Sequence, residues 1–185
     1  KENLAQIGTD LTSTPIGNDA LVFIVNENNP VESLTTEELV KIYTGEITNW
    51  KDVGGNDEEI TAFQRSEESG SQSLFIKLLM KDVAPMEAPR ELAPGLMGEL
   101  IDALAQYNNS GNAIGYSVFY YASYMYTQPG LKFIAVDGVM PSDETIASGE
   151  YPFLNPYFAA IRTDEPEDSA ARKLYNFVIG EEGVK

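Results

Sequence analysis

The chain has no cysteine and no histidine among its 185 residues. Without thiols there are no disulfides, no thiolate nucleophile and no cysteine metal ligand; without imidazole, the usual general base and the commonest zinc ligand are also absent. Basic residues are scarce too. Twelve Lys and Arg stand against 29 Asp and Glu, a formal net charge of −17, and a field of that sign repels nucleic acid and anionic lipid. Nucleic acid is therefore not expected as a partner. The longest apolar run, Ala20–Val25, is far too short to span a bilayer, and no charged-then-apolar leader stands at Lys1. A serine nucleophile would need a lysine or carboxylate as base, and Lys77 lies four residues after Ser73, one more than Ser-x-x-Lys requires. No catalytic residue is assigned and no enzyme is expected. Met80, Met86 and Met97 follow no ligand spacing, and no EF-hand-like loop appears, so neither a metal nor a cofactor is expected.

A hydrophobic content of 43% is ordinary for a chain with a real core. Asp19–Val25 is β-branched and aromatic without alternation, which predicts a strand buried on both faces. Thr35 to Glu38 reads as a capping box opening a helix with Leu39, Ile42 and Tyr43 inward and Gly45 at its end. Trp50 reads as a core anchor, with a ligand platform as the alternative. A helix is predicted over 69–82, a Pro-rich acidic loop over 83–95, and a helix over 96–107 leading through the turn at 108–112 into Ala113-Ile114-Gly115-Tyr116. Tyr120, Tyr121, Tyr124 and Tyr126 fall on a helical run with Phe119, either packed on a sheet or forming a sugar-binding platform. Strands are expected over 131–136 and 156–161, and a helix capped by Ser142 reaches to Gly149. The last helix should begin near Asp164, with Ala170, Leu174, Phe177 and Val178 inward.

The segment Arg65-Ser66-Glu67-Glu68-Ser69-Gly70-Ser71-Gln72 lies between the short β-like run Ile60–Phe63 and a helix-patterned run. Ser69 and Gln72 have capping-box spacing, and the amides that open such a helix lack intrahelical partners. Those amides, the positive end of the helix dipole and the Ser69 and Ser71 hydroxyls can all face one oxyanion. Gly70 carries no Cβ to stand between amide and ligand, and Arg65 supplies a charged planar fork for two oxygens. The other reading is an ordinary helix start with Arg65 paired to Glu67 or Glu68.

Pro15–Asn26, Asn29-Pro30-Val31, Ser33-Leu34-Thr35, Ile42–Trp50, Val53-Gly54-Gly55, the Arg65–Gln72 segment and Ala113–Tyr116 together resemble the phosphate-binding proteins of bacterial ABC transporters. The resemblance implies an α/β lobe of the periplasmic-binding-protein type II kind, a mixed sheet flanked by helices. Residues 19–150 would be the second ligand-binding lobe, and 1–18 and 151–185 would be crossover segments and remnants of a first lobe whose bulk the chain lacks. It further implies phosphate, or a similar tetrahedral oxyanion, held by Arg65, Ser69, Gly70 and Ser71, with the amides around Gly70 to Gln72 completing the cradle so that Gln72 also counts as a ligand residue, and a membrane ABC permease as partner. The expected location is extracytoplasmic, as a cell-surface lipoprotein or in the periplasm. Self-association through the uncovered face with Leu174 and Phe177 is expected as well. A sensory or interaction module that keeps the lobe but binds another ligand, or none, is the rival expectation.

Overall fold

The sheet is organised around β1 (Leu11–Asn26). In the computed structural model, which describes residues 10–88, 93–106, 110–180 and 183, every residue of Ala20–Val25 is buried. The polarity pattern requires this, since neither face of the run could stand in water. β1 pairs antiparallel with β4 (Ala113–Val118), from Leu21 opposite Val118 to Val25 opposite Ile114, and with β5 (Leu131–Phe133). On its other edge β4 pairs in parallel with β3 (Thr61–Ala62), giving a mixed sheet of order β3-β4-β1-β5. A separate ladder joins β2 (Ser33–Leu34) in parallel to β6 (Ala135–Val136). The single strand expected over 131–136 is thus two. The Ile134 amide donates to Phe23 O at 3.2 Å, and the next amide, Ala135, donates to Glu32 O at 2.9 Å, so the chain changes sheets at a buried isoleucine.

Helices cover the sheet as their caps direct. α1 (Thr36–Thr44) has the full Thr35/Glu38 capping box, ends at Gly45 with φ 81°, and buries Leu39, Ile42 and Tyr43. α2 (Gly70–Phe75) runs into a π turn, Ile76–Met80, rather than one continuous α-helix to 82. The Lys81 amide reaches Ile76 O at 2.7 Å. This wider winding brings Met80 to the buried side already held by Phe75 and Leu79. α3 (Met97–Gln106) lays Leu100, Ile101 and Leu104 against Ile24, Phe63 and Ala113. It can lie this close because of Gly115, where a Cβ would sit 2.8 Å from Leu104 Cδ1. Trp50 is 1% exposed and donates from Nε1 to Asn112 O at 2.8 Å, so it is a core anchor. α4 (Asp143–Ala147) is capped reciprocally by Ser142 and Thr145.

The aromatic run departs from the packed helix expected of it. Phe119 and Ala122 are buried, but Tyr120 and Tyr124 are each 57% exposed along a π turn, Tyr121–Met125. Tyr124 donates to Asp143, while Tyr121 and Tyr126 pack against the core cluster of α3 and the sheet, with the Tyr126 hydroxyl donating to Asp102 at 2.8 Å. Within the predicted turn at 108–112, residues 108 and 109 lie outside the described residues; Ser110–Asn112 is a 3-10 turn.

The chain divides into a larger unit, Asp19–Asn155, and a smaller one, Lys1–Asn18 with Pro156–Lys185. In the smaller unit β1 pairs with β7 (Leu154–Arg162), and Thr163 N donates to Asp10 O at 3.0 Å. α5 (Ala170–Ile179) begins five residues later than the sequence suggests, with Ser169 as its cap. Asp164 is not free to cap, because Arg162 holds its carboxylate through Nε at 2.9 Å and Nη2 at 2.7 Å. The face with Leu174 and Phe177 is open, as expected, and the buried position of this helix is one the hydropathy pattern does not name. Tyr175 is buried with its hydroxyl 2.6 Å from Thr14 Oγ1, while Ala170 is exposed and Leu174 and Phe177 are 63% and 53% exposed.

Candidate functional site

β3 carries the chain from the sheet into Gln64 and Arg65, both buried. The Arg65 guanidinium is anchored on three sides: Nε donates to Pro94 O at 3.1 Å, Nη2 to Gly95 O at 2.8 Å and Nη1 to Ser71 Oγ at 3.1 Å. Three of its five N–H groups are thereby used and two remain. At 6% exposure it is nearly removed from water, and burial pulls its pKa below the ordinary arginine value, with Tyr116, Glu99 and Tyr121 pulling the other way. No ion pair among the described residues includes Arg65. Glu67 and Glu68 point into solvent instead of pairing with it. Carbonyls satisfy its geometry but do not cancel its charge.

The helix start beside it is capped on one side only. Ser69 Oγ accepts from Gln72 N at 3.0 Å, but the Gln72 side chain does not return to the Ser69 amide, which donates to Ser66 O. Gln72 Oε1 instead accepts from Arg65 N at 3.1 Å and from the Tyr116 hydroxyl, and Nε2 lies 3.4 Å from Gln64 Oε1. With its own amide taken by Ser69, Gln72 keeps no backbone donor for a ligand. The free donors are the Gly70 and Ser71 amides, which precede Ser73, whose amide makes the first bond of the helix, to Ser69 O at 3.0 Å. Two hydroxyls join them: Ser69 Oγ and Ser71 Oγ lie 3.3 Å apart. One of the two hydroxyl protons lies in that contact, and the other is left to donate outward. Gly70 is exposed and a Cβ there would meet nothing within 4 Å.

An open cavity of about 1450 Å³ adjoins the site, with Arg65, Glu67, Gln72, Lys77 and Lys81 on its walls. That is far larger than a tetrahedral anion, so within this unit an anion would stay partly hydrated. Among the described residues, no three carboxylates lie close enough to hold a metal ion, and no helix is long and apolar enough to cross a membrane.

Arg65, Ser69, Gly70 and Ser71 thus lie together, while Gln72 turns inward. Sequence reasoning missed the Pro94 and Gly95 carbonyls, which carry no side-chain signature, and the role of Tyr116.

The mixed sheet with helices packed on it makes the molecule an α/β protein. The chain belongs to the PBP superfamily, whose domain it matches over residues 1–182. It is 34% identical over 128 residues to the phosphate-binding protein PstS of Bacillus subtilis, covering 69% of this chain and 39% of that protein. It is 30% identical over 170 residues to PstS of Borreliella burgdorferi, covering 89% of this chain and 59% of that protein. In structure it is similar to an ABC-type phosphate transport receptor from Vibrio cholerae, with a TM-score of 0.75 and 29% identity over 92% of this chain and 67% of that one. The chain therefore spans about two fifths to three fifths of the two curated relatives.

Proposed function

We propose that the Arg65–Ser71 cradle binds a tetrahedral oxyanion, phosphate, and that the protein is the solute-binding component of an ABC importer. The observation that carries the reading is the buried Arg65, which has no carboxylate partner among the described residues and stands against a helix start with unused amides. A buried cation costs free energy unless paired, and a bound anion supplies the missing charge. Arg65 neutralises, Ser69 and Ser71 donate hydroxyl protons, and the Gly70 and Ser71 amides complete the cradle. Gln72 acts as the internal brace. The phosphate-binding relatives and the transport receptor support this ligand and a binding rather than catalytic role.

In this reading the larger unit is the second ligand-binding lobe and the smaller contains crossover segments. The partner is a membrane ABC permease, and the location is extracytoplasmic. The exposed Leu174 and Phe177 favour self-association of the chain.

The test is a titration of the chain with inorganic phosphate, followed by ¹H–¹⁵N spectra, with sulfate, arsenate and molybdate as comparators. Saturable, concerted shifts of the Gly70 and Ser71 amides and of Arg65 Nε are expected. One observation favours the rival, a lobe with another ligand or none: Arg65 already has the Pro94 and Gly95 carbonyls as partners. Shifts scattered over the surface with Arg65 Nε unmoved would establish a purely structural arginine.

A further inference from the structure

Tyr116 stands on β4 with 0% exposure, stacked on Phe75 of α2 at 4.4 Å between ring centroids and edge-on to Tyr43 and Phe23. This aromatic packing fixes the ring and so aims its hydroxyl. The hydroxyl accepts from Arg65 N at 3.1 Å and donates to Gln72 Oε1, which itself accepts from Arg65 N at 3.1 Å. Packing alone would be served by a phenyl ring, and a buried hydroxyl costs desolvation unless it is bonded. The groups that Tyr116 reaches belong to the two halves of the cradle. One is the backbone at the root of the guanidinium, and the other is the side chain of the residue whose amide is capped by Ser69.

Resting on the anion-site reading above, we infer that Tyr116 is a positioning residue for anion binding, its hydroxyl locking Arg65 and the start of α2 into one rigid arrangement. It does not touch the ligand. Rigidity is what such a cradle needs, because donors that must be ordered on binding lose part of the interaction to entropy.

The experiment measures phosphate dissociation constants from the Gly70 and Ser71 amide shifts in three variants of the whole chain, with thermal melts of each. Tyr116→Phe keeps the ring and removes the knot, and is expected to raise Kd about three- to tenfold, the weight of one hydrogen bond. Tyr151→Phe is the control. It deletes another buried hydroxyl, bonded to Leu21 O at 3.1 Å, so it is expected to lower the melting temperature comparably while leaving Kd unchanged. Gln72→Met empties the same knot from the opposite side and is expected to raise Kd by a similar factor, which keeps the test alive should Tyr116→Phe fold poorly. A Kd within 1.5-fold of the parent in a folded Tyr116→Phe or in Gln72→Met overturns the inference, as does an equal rise in Tyr151→Phe. A parent chain with no saturable shifts sinks the anion site itself, and this inference with it.

Discussion

Gly70→Ala separates an anion cradle from an ordinary helix start, because both readings predict a more stable fold and only the cradle predicts weaker phosphate binding. The added Cβ meets no protein atom within 4 Å, so the fold takes it without strain. Alanine also loses less backbone entropy than glycine in a helix, a gain of up to about 0.5–1 kcal/mol. For a chain of this length that is a rise of roughly 1–4 °C in melting temperature. The methyl group would occupy the space in front of the Gly70 amide, where the anion is proposed to lie. Losing one charge-assisted hydrogen bond costs about 1.5–3 kcal/mol, or roughly ten- to 150-fold in Kd. If the parent binds near 1 mM, 50 mM phosphate stabilises it by about 2.3 kcal/mol, and a tenfold weaker variant by only about 1.1 kcal/mol. Phosphate also stabilises proteins by exclusion from their surface, so amide chemical shifts, not melts alone, must carry the comparison. A variant that melts higher and binds phosphate as tightly as the parent would refute the cradle and leave Ser69 as a plain cap.

Arg65→Ala is expected to abolish phosphate shifts at Gly70 and Ser71, since the loss of about 2–4 kcal/mol pushes a millimolar Kd beyond measurement; retained saturable shifts would remove Arg65 from the site. The chain itself is expected to bind phosphate only in the millimolar range, because the open cavity leaves contact pairs at high dielectric, worth about 1 kcal/mol each, and light scattering should show association through the Leu174 and Phe177 face; calorimetry giving submicromolar binding by a monomer contradicts both statements. Burial raises the phenol pKa of Tyr43, Tyr116 and Tyr151, so the folded state keeps three protons that the unfolded chain releases near pH 10. Their stabilisation is complete below pH 10 and falls above it by about 1.4 kcal/mol per pH unit for each group, and Tyr151→Phe should flatten denaturant midpoints measured between pH 10 and 12. Gly115→Ala forces a methyl to within 2.8 Å of Leu104 Cδ1, and chemical denaturation should show a loss of about 1–3 kcal/mol.

Signals confined to a few consecutive residues were legible wherever nothing distant competed for the same atoms. Thr35 with Glu38 and Ser142 with its helix form as their spacing implies. Ser69 with Gln72 has the same spacing and forms only half a box, because Tyr116, 44 residues away, reaches Gln72 Oε1 first. Asp164 looked like a cap and is instead spent on Arg162, which moves the helix start to Ser169. Leu174 and Phe177 are open, as expected of a face whose covering lobe the chain lacks, but the burial of Tyr175 has no sequence signal for a related reason. Hydropathy favours Leu174 and Phe177, but the buried position belongs to Tyr175, whose hydroxyl has a partner in Thr14. The π turns after Phe75 and Tyr120 are set by which side chains reach the core, a tertiary demand that local propensity does not encode. Carbonyl ligands such as Pro94 and Gly95 leave no trace in a pattern of side chains.

The strongly acidic composition and an anion site can coexist because they act at different ranges. The field of −17 charges is screened over roughly 8 Å at physiological salt, and the two carboxylates nearest in sequence, Glu67 and Glu68, lie in water where their effect is weakest. Arg65 sits at 6% exposure, so most of its surface meets protein and only the side toward the open cavity meets solvent. Its fork is held by carbonyls, which orient the charge without cancelling it, whereas a carboxylate at Pro94 or Gly95 would have consumed it. Affinity in such a site comes from what surrounds the arginine within a few ångströms, so in the proposed site substitutions at the buried knot of Gln72 and Tyr116 are expected to change phosphate affinity more than substitutions at the surface acidic residues do.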